Sequence, residues 1–160
     1  MLFHLSIEAD DPRRVAHAVA ELWQGVALPF PPVGIGSWAA MADDQFGSMV
    51  EVYQRGTELR EGVGDEAGYG FPSNPRRHTA THFAMGTKLS IDEVLGIADH
   101  YGWNAKYCRR DDAFAVIELW IEGCLMVEIL TPEMQREYCE STTVENLVRA
   151  FANAPAEATA

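Results

Sequence analysis

Residues 48–56 read SMVEVYQRG and residues 124–130 read CLMVEIL, so one Met-Val-Glu triplet places Glu51 and Glu128 inside two apolar, β-branched runs. A buried strand would rather carry valine there, because a carboxylate taken out of water without a partner costs several kcal/mol. Each glutamate follows a histidine at almost the same distance: 47 residues separate His4 from Glu51, and 46 separate His82 from Glu128. Two imidazoles and two carboxylates are ligands suited to Zn, Ni, Co, Mn or Fe(II), with positions left open for water or substrate. The set lacks the thiolates of a structural zinc site. A divalent metal ion is therefore the expected cofactor, held by His4, Glu51, His82 and Glu128. Glu51 and Glu128 are also the groups able to move a proton beside it.

The elements that must position these residues occur twice. Alternation over residues 2–8 predicts a strand, with Phe3, Leu5 and Ile7 on one face and His4 and Ser6 on the other. Asp11 and Pro12 open a helix that Gly25 stops. The Pro-rich ALPFPP allows only an edge or irregular strand, and residues 34–41 and 48–53 read as a hairpin. The second half repeats the order: a strand over 79–86, a helix opened by the Ser90/Glu93 capping box and ending near Gly102, a strand over 104–110, and a hairpin turning at Glu122-Gly123. Parity then puts all four metal-ligand candidates on the sheet faces opposite the helices. The fold expected is α+β, two βαβββ modules forming a shared sheet cleft, with a C-terminal helical extension. The paired modules span 1–131, as 1–54 and 79–131 joined by a Gly- and Pro-rich linker over 55–78 that is either a surface wrap or a lid. C-terminal helices follow over 132–153, with a Thr142/Glu145 capping box for the last, and 154–160 is a disordered tail.

Other residues fall where a substrate would sit. Glu118 shares parity with Phe114, Val116 and Trp120, and reads either as a spare base or as a structural hydrogen-bonding group. Trp38, Tyr53, Tyr107 and Trp120 either line a substrate pocket or belong to the core.

Composition narrows the partners. Twelve Lys plus Arg stand against 24 Asp plus Glu, for a formal net charge of −12, which argues against nucleic acid and anionic membrane surfaces. The opening MLFHLSIEADD resembles neither a signal peptide nor a membrane span. Cys108, Cys124 and Cys139 form no C-x-x-C pair and suit free thiols in a reducing compartment. A cytoplasmic protein acting on a small molecule is expected. Each half alone would expose an apolar surface and half a metal site, so the halves pair within a chain or across a homodimer.

Paired βαβββ modules with candidate ligands in the first and last strands resemble the vicinal oxygen chelate superfamily of glyoxalases, extradiol dioxygenases, epimerases and bleomycin-resistance proteins. The likeness covers about residues 2–131, and the His, Glu, His, Glu order is similar to bacterial glyoxalase I, in which those positions hold the metal. It implies a metal-dependent lyase, isomerase or dioxygenase whose substrate chelates the ion through two adjacent oxygens. The alternative it implies is a metal-free binding or resistance protein on the same scaffold. The first helix, RRVAHAVAELWQG, and the Glu122-Gly123 turn lack the family's glyoxalase patterns, so the glyoxalase reaction itself is not carried over.

Overall fold

The computed structural model describes residues 3–32 and 34–152, the side chains of 150–152 excepted. The expected strand start at residue 2, residue 153 of the helical extension and the tail over 154–160 lie outside the described residues.

The first half runs β1 (His4–Ala9), α1 (Pro12–Trp23), β2 (Val26–Pro29), β3 (Trp38–Met41) and β4 (Met49–Gln54). Its sheet has the order β1-β4-β3-β2, with β1 parallel to β4 and the other pairs antiparallel. After β5 (Thr57–Arg60) and β6 (Tyr69–Pro72), the second half runs β7 (Phe83–Gly86), α2 (Ile91–Tyr101), β8 (Asn104–Arg110), β9 (Phe114–Ile121) and β10 (Leu125–Leu130). Its order, β7-β10-β9-β8, with β7 parallel to β10, reproduces the first. The chain closes with α3 (Pro132–Ser141) and α4 (Val144–Ala152).

Local chemistry explains the helices. Asp11 accepts from the Arg14 N–H at 3.0 Å to cap α1, and Pro12 fills its first turn, where a missing N–H costs nothing. The helix ends on Gln24 in the left-handed conformation (φ 57°). Gly25 follows because any Cβ there would lie 1.9 Å from the Met41 carbonyl oxygen. The Ser90/Glu93 capping box of α2 forms in both directions, and Gly102 ends that helix at φ 67°. The box expected for α4 does not form. Thr143 caps the helix instead, accepting from the Asn146 N–H at 3.3 Å, while the Thr142 hydroxyl turns back to the Tyr138 carbonyl at 2.6 Å.

Two further points emerge. Within the linker, Thr57–Arg60 and Tyr69–Pro72 pair as an antiparallel hairpin that leaves Leu59, Tyr69 and Phe71 exposed. The strand expected over 79–86 is ordered as strand only from Phe83, since β10 ends its ladder opposite Phe83 and gives nothing earlier a partner.

The core lies on the helix side of both sheets. Val15, Val19 and Leu22 of α1 and Val94 of α2 are buried with Val50, Val52, Ile117, Leu119, Val127 and Ile129. Each such side chain contributes roughly 1.5–3 kcal/mol when fully buried. Polar bonds tie the halves together at both ends of α1. The Glu122 carboxylate accepts from the Asp10 and Asp11 N–H groups at 2.7 and 2.9 Å and from Arg55 Nη2 at 2.6 Å. Arg55 also binds Asp10, and the Thr87 hydroxyl donates to the Leu22 carbonyl.

Candidate functional site

In the first half, register sets Glu51 on β4 directly beside Ser6 on β1, two residues after His4. Val50 and Val52 point to the helices and are fully buried, so Glu51 takes the opposite face. It is nevertheless only 7% exposed. Both donors to it act on one oxygen: Ser6 Oγ donates to Oε2 at 2.8 Å, and the Tyr53 hydroxyl donates to the same atom. The other oxygen, Oε1, stands 4.0 Å from His4 Nε2, beyond hydrogen-bonding range. Burial, and then the bond to the carboxylate, push the Tyr53 phenol above its ordinary pKa, which keeps it protonated as a donor.

The second half places its pair identically and surrounds it differently. Glu128 lies beside Ala84, again two residues after the histidine, and across from Glu118. Two carboxylates on adjacent strands would repel, and cations answer them. Arg110 Nη2 is 2.5 Å from Glu128 Oε1 and 2.9 Å from Glu118 Oε1, and Lys106 Nζ is 3.3 Å from Glu118 Oε2. Burial raises the Glu118 carboxyl, but the bonds and charges of Arg110 and Lys106 outweigh it and hold the group below the ordinary glutamate range. His82 is exposed, with Nδ1 3.2 Å from the Ala80 carbonyl.

Burial therefore supplies no demand for a metal. His4 and His82 are exposed, and among the described residues no buried side-chain nitrogen or oxygen lacks a partner. Nor does one chain gather the four residues: among the described residues no three His, Cys, Asp or Glu side chains are grouped as ligands.

The remaining candidates divide between the faces. The Tyr53 hydroxyl donates to Glu51, and Glu118 is paired with Arg110 and Lys106. Trp120 lies on the Glu118 face and lines an open hollow of about 470 Å³ with Asn104, Lys106 and Gly123. Trp38 and Tyr107 are on the other face, because they stand opposite the helix-side residues Val52 and Ile117. Trp38 packs its ring 5.4 Å from His17 and under Arg13, so it does not share a face with Glu51. Sequence reasoning missed Ser6, Lys106 and Arg110. Ser6 was within reach, since alternation puts it on the His4 face.

The same strand order occurs twice, with a glutamate in the last strand of each parallel pair, His4 within β1 and His82 just before β7, and it can be compared with solved structures. The trypanothione-dependent glyoxalase I of Leishmania major matches with a TM-score of 0.52 at 14% identity, over 92% of this chain and 98% of that one. The genomically encoded fosfomycin resistance protein FosX of Listeria monocytogenes matches with a TM-score of 0.50 at 12% identity, over 84% and 97%. A point mutant of FosX complexed with Mn(II) and 1S,2S-dihydroxypropylphosphonic acid gives 0.51 at 12% identity, over 85% and 95%. The chain has the vicinal oxygen chelate fold. No protein-family model matches it, and no curated protein does.

Within the vicinal oxygen chelate fold the donor chemistry of this chain fits a divalent ion. Glu51 is anchored through one oxygen and presents the other toward an imidazole. Glu128 accepts one hydrogen bond, at Oε1, among the described residues. All four donors are of the hard-to-borderline kind that Mn, Fe(II), Co, Ni and Zn take. Among the described residues no helix is long and apolar enough to cross a membrane.

Proposed function

We propose that this protein is a metal-dependent enzyme of the vicinal oxygen chelate type, acting on a small organic molecule with two adjacent oxygens as a lyase, isomerase or dioxygenase. One observation carries the reading: both parallel strand pairs place a glutamate beside the residue two positions after a histidine, at Ser6 and at Ala84. His4, Glu51, His82 and Glu128 would hold the ion. Since one chain does not group them, a homodimer would complete each site with the His4-Glu51 face of one copy and the His82-Glu128 face of the other. The ion, when bound, supplies a Lewis acid for the substrate oxygens.

The chain's own residues divide the remaining work. Ser6 and Tyr53 fix the Glu51 carboxylate in one orientation. Among the described residues each carboxylate keeps one oxygen that accepts no hydrogen bond, Oε1 of Glu51 and Oε2 of Glu128, so either could take up and return a proton. Trp120 and Lys106 line the hollow that would receive the organic part of the substrate. Three free thiols suit a reducing, cytoplasmic setting.

A second reading, a metal-free binding or resistance protein, draws support from the 2.5 Å contact of Arg110 with Glu128, which neutralises that carboxylate without an ion. Metal content of protein purified without chelator distinguishes the two. The enzyme reading expects about one divalent ion per chain, lost in His4→Ala and Glu51→Gln as well as in His82→Ala and Glu128→Gln. Equal content in wild type and all four variants, or none in any, favours the binding protein.

A further inference from the structure

The two halves match strand for strand, yet among the described residues only the second puts a guanidinium or ammonium group on its glutamate. At the level of Glu51 the first sheet reads Ser6, Glu51, Ala39 and Leu28 across its strands. The second reads Ala84, Glu128, Glu118 and Lys106. Glu118 thus replaces an alanine and Lys106 a leucine. A single nitrogen, Arg110 Nη2, bridges the two carboxylates, touching Oε1 of each.

We propose that Arg110 is an internal competitor for the cation at Glu128, released onto Glu118 when a divalent ion takes that carboxylate. The inference rests on the metal reading above. Three features support it. Glu118 already accepts from Arg110 at 2.9 Å, so the guanidinium keeps a partner after leaving Glu128. Arg110 is the last residue of β8, and its side chain is about one-third exposed, so it has room to shift. Lys106 stays on the other oxygen of Glu118, so that carboxylate remains satisfied in either arrangement. The device gives the unloaded face a counterion and sets a threshold that an ion must exceed. The first half has no such threshold, because neutral hydroxyls hold Glu51.

Competition makes opposite predictions for the loss of Arg110 and the loss of Glu118. In Arg110→Met the competitor is gone and two opposed carboxylates remain, so Ni(II) should bind roughly fivefold to tenfold more tightly than to wild type. In Glu118→Gln, Arg110 has only Glu128 to hold, so Ni(II) should bind more weakly by a similar factor. The double variant should return toward wild type. Calorimetric titration of Ni(II) into the full chain measures all four, with circular dichroism checking that each is folded. If Arg110→Met does not fold, tighter Ni(II) binding in Arg110→Gln decides the matter in its place. A purely structural Arg110 predicts unchanged or weaker binding in Arg110→Met, and that result, or unweakened binding in Glu118→Gln, overturns the proposal. Wild-type binding with unaltered variants sinks the competitor alone. No Ni(II) binding by any of the four chains sinks the metal reading and the competitor with it.

Discussion

Glu51 and Glu128 occupy matching places in matching sheets, and the protein satisfies them by different physics. Neutral hydroxyls from Ser6 and Tyr53 hold Glu51, whereas Arg110 holds Glu128 by charge and shares itself with Glu118. The hydroxyls fix an orientation and leave the carboxylate's charge in place. A guanidinium cancels that charge and competes with any other cation for it. A repeated scaffold thus presents one residue type in two electrostatic states, one prepared for a positive ligand and one guarded against it.

The comparison presumes that both halves sit in one body, and Arg55 offers the strongest means of disturbing that. Its side chain is about one-tenth exposed and reaches Asp10 on the first half and Glu122 on the second. Arg55→Ala leaves their carboxylates facing one another without the shared cation. A loss of about 3 kcal/mol is expected, read as a lowered midpoint in urea unfolding; a change below about 0.5 kcal/mol would show that the apolar core alone joins the halves.

A smaller effect should come from Tyr53→Phe, which removes one of two donors to a buried carboxylate. The expected cost is about 1.5–2 kcal/mol. Ala84→Ser, which gives Glu128 the hydroxyl that Glu51 has in Ser6, should change stability by less than about 0.5 kcal/mol, because Arg110 already satisfies that group. Thermal unfolding of the two variants measures the asymmetry directly, and equal shifts would erase it.

The smallest effect concerns acid. Glu118 has its folded pKa depressed by Arg110 and Lys106 against the opposing effect of burial. A depressed carboxylate contributes stability that is fully present above its unfolded value, about 4.3, and lost as pH falls through the lower folded value. Glu118→Gln should therefore show a shallower decline in stability below about pH 4.5 than wild type. Parallel curves for the two proteins between pH 5 and pH 3 would mean that Glu118 contributes nothing through its ionisation.

Much of this was legible in the chain. The period-two alternation around Glu51 and the repeated Met-Val-Glu assigned both faces correctly, because side chains on a strand must alternate whatever it packs against. The Ser90/Glu93 box marked the start of α2, since its bonds span three residues and need no tertiary partner. The hairpin within 55–78 escaped notice because β5 and β6 carry no apolar alternation against a core.

From the sequence Trp38 reads either as pocket lining or as core, because an aromatic residue in a short strand after a Pro-rich stretch has no fixed parity until its partner is known. Pairing with Val52 decided that it meets α1. The same holds for the candidate site. By itself the sequence determined two modules, the order of their elements along the chain and the face that Glu51 and Glu128 take, since these follow from local periodicity and from the internal repeat. Only the tertiary structure decided that Ser6 and Tyr53 clamp Glu51 across 45 and 2 residues, that Arg110 reaches Glu128 across 18, and that the four candidate ligands are not grouped in one chain. Those outcomes depend on ladder register and on how two sheets meet, and neither is encoded in the spacing of residues along one strand.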